Sequence, residues 1–436
     1  MASTYLQRTL GTPTSEKIWT FSAWVKRTGL GSTQHIFSLD SGSNRDAFSF
    51  DSDNGLRFYC NGSATGYADL STNRVLRDTS AWFHLVLAVD TSQGTAADRV
   101  KLYINGTQYT WDETTIYPSQ DYLTFTDSGD IFRIGRDRTA ANYFDGLMSH
   151  VHFCDGTQLA PTVFGSTDST TGEWKIKTPS FTPGNNGFTV LKDGNTITDQ
   201  SANSNDFSLG GGTLTNTEDC PSNVFCTMNP LRPNNISQTY SNGNNTFVRT
   251  GTGGQMNGTL GVMSGKWYYE CLIDDYWQYL GWTIPSIAGQ TTACSSSGSG
   301  FYGLYSNASA LNTYANGTQT SQGSYTAMAS GQIWGVAFDA DNAKMYFSVN
   351  GVWENSSDPA NQTNPAMSSI PVTDFLVPAI GQGTGSRSST IKINFGNGYF
   401  GTTQISSEGT NASGIGKFEY DVPTGYTALS TKGLNE

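Results

Sequence analysis

The chain has 436 residues, a formal net charge of −12 and only 14% charged residues, against about 25% in an ordinary soluble domain. Nucleic acid demands patches of Lys and Arg, and an anionic membrane surface attracts basic segments, so the negative balance speaks against both as partners. Without a run of about eighteen apolar residues, no membrane insertion by a helix is expected.

Length suggests roughly two to three domains. Glu is scarce: nine of the 36 acidic residues are Glu and the rest Asp. Gly is abundant at 49 residues, and aromatics make up 12%. Few Glu and Lys, with much Gly, Asn, Thr, Ser and Tyr, disfavour helices and favour strands joined by turns. The expected fold class is all-β. The opening "MASTYLQRTLGTPTSEK" has no apolar stretch after a basic start, so no secretory signal is expected here. Six cysteines, Cys60, Cys154, Cys220, Cys226, Cys271 and Cys294, lack CxxC spacing and read as free buried thiols. Cys220 and Cys226 are close enough in sequence to pair in an oxidising compartment. The ten Asn-x-Ser/Thr triplets are what an Asn-, Ser- and Thr-rich chain produces by chance. Both termini are expected to dock on the body or on a partner.

In chain order, "WTFSAWVKR" alternates Phe21, Ala23 and Val25 on one face with Ser22, Trp24 and Lys26 on the other. "AWFHLVLAVD" lines one face with Phe83, Leu85, Leu87 and Val89. Both predict strands. "RVKLYINGTQYTW" alternates as far as Asn105-Gly106, whose positive φ angles suit a type I′ hairpin turn. "IFRIGRD" and "GLMSHVHFCDG" predict two more strands. Residues 161–235 hold six prolines and two Gly-rich stretches. They read as an extended connector, with one small β element in "FTVLKDGNTITD" turning at Asp193-Gly194. From residue 236 strands return: "GKWYYECLI", "YLGWTI", "FYGLYS", "QIWGVAFDAD", "AKMYFSVNGVWE" and "STIKINFGNGYF". The Asn350-Gly351 hairpin repeats the earlier device. The expected domains are thus 1–160, a connector over 161–235, and 236–436.

The densest aromatic stretch is "KWYYECLIDDYWQYLGWT", Lys266 to Thr283. Trp267, Tyr269 and Cys271 share one strand face, and Tyr268, Glu270 and Leu272 the other, so most of these side chains read as packing. Asp274, Asp275, Tyr276 and Trp277 fall between two strands. A turn has no folding need for two large rings, so these four residues are the candidate ligand-binding site.

No catalytic constellation emerges. His150 and His152 share a strand face as a metal pair could, but no third ligand is evident. There is no Gly-x-Ser-x-Gly elbow, no alternating carboxylate pattern of a sandwich glycosidase, and no Walker A or zinc motif. Asp274 and Asp275 are neighbours that point apart if extended. No cofactor and no metal site is assigned. Calcium, held by Asp and backbone carbonyls in loops, is the ion this composition admits, and "DSDNG" at 51–55 only partly resembles the start of a calcium-binding loop.

Two blocks resemble known families. "AWFHLVLAVD…RVKLYINGTQ" and "FRIGRD…YFDGLMSHVHFCDGTQLAP" resemble a laminin-G/concanavalin A-like domain over residues 1–160. "SGKWYYECLI", "GQIWGVAFDADNAKMYFSVNGVW" and "PAIGQG…IKINFGNGYF" resemble a SPRY domain from about 240 to 432. The resemblance implies two concanavalin A-like β-sandwiches of jelly-roll type. "GTQLAPTVFG", "NDFSLGGGTLTNTEDCPSNVFCTMNPL" and the ending "VPTGYTALSTKGL" resemble structural proteins of tailed bacteriophages, especially marine and cyanobacterial ones.

What this implies is a non-enzymatic protein located in the virion: a tail fibre, head fibre or surface appendage that binds host-surface glycan or protein. Its other partners would be virion structural proteins, and by analogy with phage fibres it would be a homo-oligomer. No heptad or β-helix repeat appears, so a globular knob or decoration fits better than a shaft. Two other readings stand beside it: a capsid or tail decoration with virion partners only, and a depolymerase of host polysaccharide.

Overall fold

The computed structural model describes residues 3–62, 66–112, 115–192, 194, 196–232, 237–250, 255–286, 293–307, 310–323, 325–382 and 388–435. The fold is nearly all β, and the chain divides into two compact units, Met1–Asn216 and Thr217–Glu436.

The first unit is two sheets face to face. One runs, in spatial order, Ser208–Gly211, Tyr5–Thr9, Ile131–Ile134, Gln34–Ser41, Asn44–Phe50, Leu56–Gly62 and Gly66–Ser71. The other runs Phe188–Val190, Gly146–Asp155, Ile18–Arg27, Trp82–Asp90, Val100–Ile104 and Thr107–Tyr109. The expected alternation is what fills the space between them: Phe21, Ala23, Val25, Leu85, Leu87 and Val89 share one core with Phe37, Phe48, Phe58 and Phe132. Trp19 lies edge-on to Phe37 and Phe58. The Asn105-Gly106 turn forms as the sequence predicts, with φ of 48° and 78°, and joins Ile104 to Thr107.

The opposite face of the second sheet is also covered. Trp24, Lys26, His84 and Val86 are buried, and residues of 161–181 fold over His84, on which Trp24 stacks. Phe164 lies near the His84 ring and stacks on that of His152. The short hairpin Gly165–Thr167/Trp174–Ile176 sets the Trp174 ring nearly parallel to that of His84.

Residues 161–235, expected as a connector, are divided between the two units. Phe188–Val190 pairs with Gly146–Asp155, and Ser208–Gly211 pairs with Tyr5–Thr9. Phe188, Val190 and Phe207 enter the first core, whereas Cys226 and Met228 enter that of the second unit. The six prolines of this segment favour turns, but its few apolar side chains decide where it packs. The turn at Asp193-Gly194 falls partly outside the described residues; Leu191 N–H donates to Thr196 O across it.

The second unit repeats the plan with different strands. Its larger sheet runs Ser237–Ser241, Thr246–Thr250, Ser388–Asn394, Lys266–Ile273, Ile333–Asp339, Lys344–Val349 and Val352–Trp353, with Thr427–Ala428 added parallel to Lys266–Ile273. The smaller runs Gln255–Asn257, Val377–Gln382, Gln278–Thr283, Phe301–Asn307, Ala310–Ala315 and Thr318–Ser321. Trp267, Tyr269, Cys271, Trp334, Val336 and Phe338 meet Leu280, Trp282, Leu304 and Ile380 between the sheets. The aromatic stretch from Lys266 is therefore mostly core. Tyr268, on the other face of its strand, packs with Phe225, Tyr346, Phe418 and Tyr426 in a second layer supplied largely by the C-terminal segment.

Candidate functional site

Asp274 to Trp277 link the strand Lys266–Ile273 to the strand Gln278–Thr283. The two carboxylates do separate jobs. Asp274, exposed, accepts a hydrogen bond from Thr390 N–H at 2.6 Å and ties the turn to the neighbouring strand. Asp275 accepts from the next backbone N–H, that of Tyr276, at 2.7 Å. Although the residue is largely exposed, partial desolvation of the Asp274 carboxyl raises it above the usual Asp range, and the Thr390 N–H opposes that.

The rings are half-buried and diverge. Tyr276 packs against the inter-sheet core. Trp277 packs against an aromatic layer made of Tyr279, Phe301, Tyr305 and Tyr314. Their centroids lie 6.2 Å apart at 46°. Both rings thus carry more packing than a turn read from sequence suggests, and they do not form one flat exposed platform.

A second feature of the same unit was missed from sequence. A cleft of about 490 Å³ is bounded by Lys266, Asp341, Ser413, Tyr426, Thr427 and Leu434 among others. Lys266 Nζ is 3.4 Å from Asp339 Oδ2 and 5.7 Å from the centre of the Tyr426 ring. The Ser413 and Thr427 hydroxyls are 3.1 Å apart. Asp341 accepts the Gly265 N–H at 2.8 Å and is otherwise exposed. Leu434 contributes apolar surface, being 41% exposed. An ammonium, a carboxylate, two hydroxyls and an apolar patch around one cleft can hold a polyhydroxylated or peptide ligand by several modest contacts. These residues come from three distant stretches, so no local motif marks them. The one signal was the ending "VPTGYTALSTKGL", which supplies Tyr426, Thr427 and Leu434.

The remaining candidates are structural. The His150–His152 stretch contains a bulge: the strand register shifts between Ser149 and His152, and His150 has φ of 50°. His150 Nδ1 lies 2.7 Å from Ser149 Oγ, and His152 Nδ1 lies 3.0 Å from Thr189 Oγ1. Burial pushes the His152 imidazole down to about 3. In "DSDNG", Asp51 accepts from Ser52 N–H and Thr33 Oγ1–H, and Asp53 from Gly55 N–H. The two backbone bonds cap the turn, and the Thr33 hydroxyl ties it to a distant loop. No group of three or more His, Cys, Asp or Glu is arranged to hold a metal among the described residues. All six cysteines are free thiols, five of them buried and Cys220 half-buried.

With this geometry in hand, known proteins bear on the fold. Residues 2–164 match the Laminin_G_3 family, the concanavalin A-like lectin/glucanases superfamily. The first unit therefore has a concanavalin A-like fold, as its paired sheets show independently. Among curated proteins no relative matches the sequence. Solved structures similar to the chain include the SPRY domain of human HERC1, at 16% identity over 38% of this chain and 96% of that one, with a TM-score of 0.29. The PSpry domain of TRIM65 is similar at 16% identity over 39% and 91%, with a TM-score of 0.30. A heptameric SAP-like pentraxin from Limulus polyphemus is similar at 16% identity over 44% and 90%, with a TM-score of 0.30.

Proposed function

We propose that the protein is a non-enzymatic bacteriophage virion component, a fibre or surface appendage that recognises host-surface glycan or protein. The observation that carries a recognition role is the cleft at Lys266, Asp341, Ser413 and Tyr426, with its mixed charge, paired hydroxyls and adjoining exposed Leu434. The concanavalin A-like family matched by residues 2–164 has lectins in its description, and a lectin-like role for this chain is in keeping with that. The virion assignment is supported by the likeness of the segments 156–165, 205–231 and 422–434 to phage structural proteins.

The test is competition. Purified protein is incubated with intact host cells, and phage adsorption is then measured. Blocked adsorption is expected, and it should be relieved in a variant carrying Asp341→Ala and Ser413→Ala. Protein that neither binds cells nor competes would set the proposal aside.

One observation favours the second reading, a decoration or assembly protein. Val352 is 70% exposed and Phe375 57% exposed, the kind of apolar surface that a virion neighbour would cover. A phage lacking the protein that adsorbs normally but has unstable particles would select this reading.

A further inference from the structure

Arg249 is fully buried, at 0% exposure, and none of Nε, Nη1 and Nη2 has a hydrogen-bond partner. Other buried arginines of the chain are treated differently. Arg133 is paired with Asp40. Arg27 donates to Leu76 O and lies 4.2 Å from the centre of the Phe50 ring. The groups whose electrostatics reach Arg249 are the Cys294 thiol and the Tyr240 phenol, and burial keeps both neutral. A buried guanidinium without an anion is strongly unfavourable, and its planar fork of donors matches a carboxylate.

Its surroundings are polar as well. Arg249 is directly opposite Ser389 on the adjoining strand, so the two side chains share a face. Phe247 and Ile391, two residues along each strand, belong to the inter-sheet core, so that face points inward. The Ser389 hydroxyl is buried and unpartnered. From the facing sheet, Gln278 lies two residues before the core residue Leu280. It is 0% exposed, and both of its amide atoms lack partners. Ile391 pairs with Ile273, so Ser389 lies at the end of the sandwich where the Asp274–Trp277 turn leads into Gln278. The register thus places three unpartnered polar side chains, from three strands, on inward faces at the end of the sandwich next to that turn.

We propose that Arg249, Gln278 and Ser389 form a binding site for a carboxylate group flanked by hydroxyls, as in a sugar acid. The guanidinium takes the carboxylate; the Gln278 amide and the Ser389 hydroxyl take the neighbouring hydroxyls. The inference rests on the second unit being a glycan-recognition module and names the class of glycan: one carrying uronic or related acids.

The probe is glucuronate, with glucose, acetate and an Asp-containing dipeptide as comparisons, titrated into the full chain by calorimetry and by thermal shift. Glucuronate is expected to bind and raise Tm, glucose is not, and acetate is expected to bind at least tenfold more weakly than glucuronate. Arg249→Met should abolish the ligand-induced shift while leaving the unliganded protein at least as stable, because it removes an unpaired buried charge. If Arg249→Met does not fold, Gln278→Leu and Ser389→Ala provide the same readout, each weakening glucuronate severalfold. No glucuronate binding by the wild type, equal binding by the folded variants, or binding of the dipeptide in preference to glucuronate each overturns the proposal. A protein that blocks phage adsorption yet ignores glucuronate would sink this inference and leave the recognition role standing.

Discussion

Trp174 donates its indole N–H to Nδ1 of His84 at 2.9 Å, and the two rings lie within 23° of parallel. The contact sets the tautomer. Nδ1 accepts, so the proton is on Nε2, which donates to Ser22 Oγ at 2.9 Å. Trp24 stacks on the same imidazole, at 4.9 Å between centroids. The covering hairpin is thereby fastened to the sheet through one neutral histidine.

Acid should loosen this fastening. Burial pushes His84 from its ordinary 6.5 down to about 3. Between those values the unfolded chain binds a proton that the folded chain refuses. The stability contributed is whole above pH 6.5 and drains as pH falls toward 3, at about 1.4 kcal/mol per unit. His152 behaves alike, and His35 is depressed to about 4. Asp46, raised to about 7 by burial, works in the opposite direction. The gap in denaturant stability between wild type and H84Q isolates one imidazole. It should shrink by about 1.4 kcal/mol per unit from pH 6.5 to 4, whereas a gap independent of pH would contradict a buried neutral His84.

Gly106 has φ of 78°, and a Cβ there would meet the Trp174 ring at 2.5 Å. Gly106→Ala combines a left-handed backbone cost of roughly 1–2 kcal/mol with displacement of the indole. A loss of about 2–4 kcal/mol is expected in urea titration, together with a changed tryptophan emission. Gly94→Ala, whose Cβ would have nothing within 4 Å, serves as the control and should be near neutral.

Glu270 is fully buried and accepts from the backbone N–H groups of Glu419 and Tyr420, both at 2.9 Å, and from Asn394 Nδ2 at 3.2 Å. Glu270→Gln turns one acceptor oxygen into a donor facing other donors. A loss of about 2–4 kcal/mol is expected. Amide exchange at Glu419 and Tyr420 should accelerate more than at Phe37 in the first unit's core. Uniform exchange at these sites would contradict the clamp.

Cys220 is the one half-buried cysteine. The Cys154 thiol is pushed up to about 11 and that of Cys294 to about 12 by burial, and those of Cys60 and Cys271 also rise. An aromatic disulfide reagent should label a single thiol quickly in the native protein and all six after denaturation. Cys220→Ser should remove the fast phase.

The half-burial of Tyr276 and Trp277 changes how their substitution must be read. Replacing both by Ala should cost roughly 2–4 kcal/mol through lost packing. Leu434→Ala, at an exposed position, should leave Tm nearly unchanged. Weakened host-cell binding in Leu434→Ala would therefore report on recognition, whereas the same loss in the double variant would not.

The strands were legible because alternation and Asn-Gly turns are local. Phe83 to Val89 and the turns at Gly106 and Gly351 occupy the places that a two-residue period and a positive φ dictate. What was not legible depends on surfaces the pattern does not mention. Trp24 and His84 alternate toward what a strand pattern takes for solvent, yet residues of 161–181 fold over His84, on which Trp24 stacks. That cover could not be read from a segment rich in Ser and Thr whose few apolar residues show no sustained alternation. The turn at Asp274–Trp277 was found because two rings stand out in a short stretch, whereas their half-burial was hidden because it depends on Phe301, Tyr305 and Tyr314. Lys266, Asp341, Ser413 and Tyr426 meet only after the chain has closed, and Arg249 reads as an ordinary charge within "TFVRT" until its strand is placed.

The closing order of the strands bears on synthesis. Tyr5 pairs with Gly211, so the first sandwich can complete soon after its own residues leave the ribosome. The second cannot: Thr246–Thr250 await Ser388–Asn394, and Trp267 and Tyr268 await Thr427 and Ala428. Until then the aromatic strand beginning at Lys266 lacks a neighbour on one edge, a condition that invites pairing with another chain. A nascent chain halted near residue 400 would hold a finished first unit tethered to an adhesive, unfinished second one.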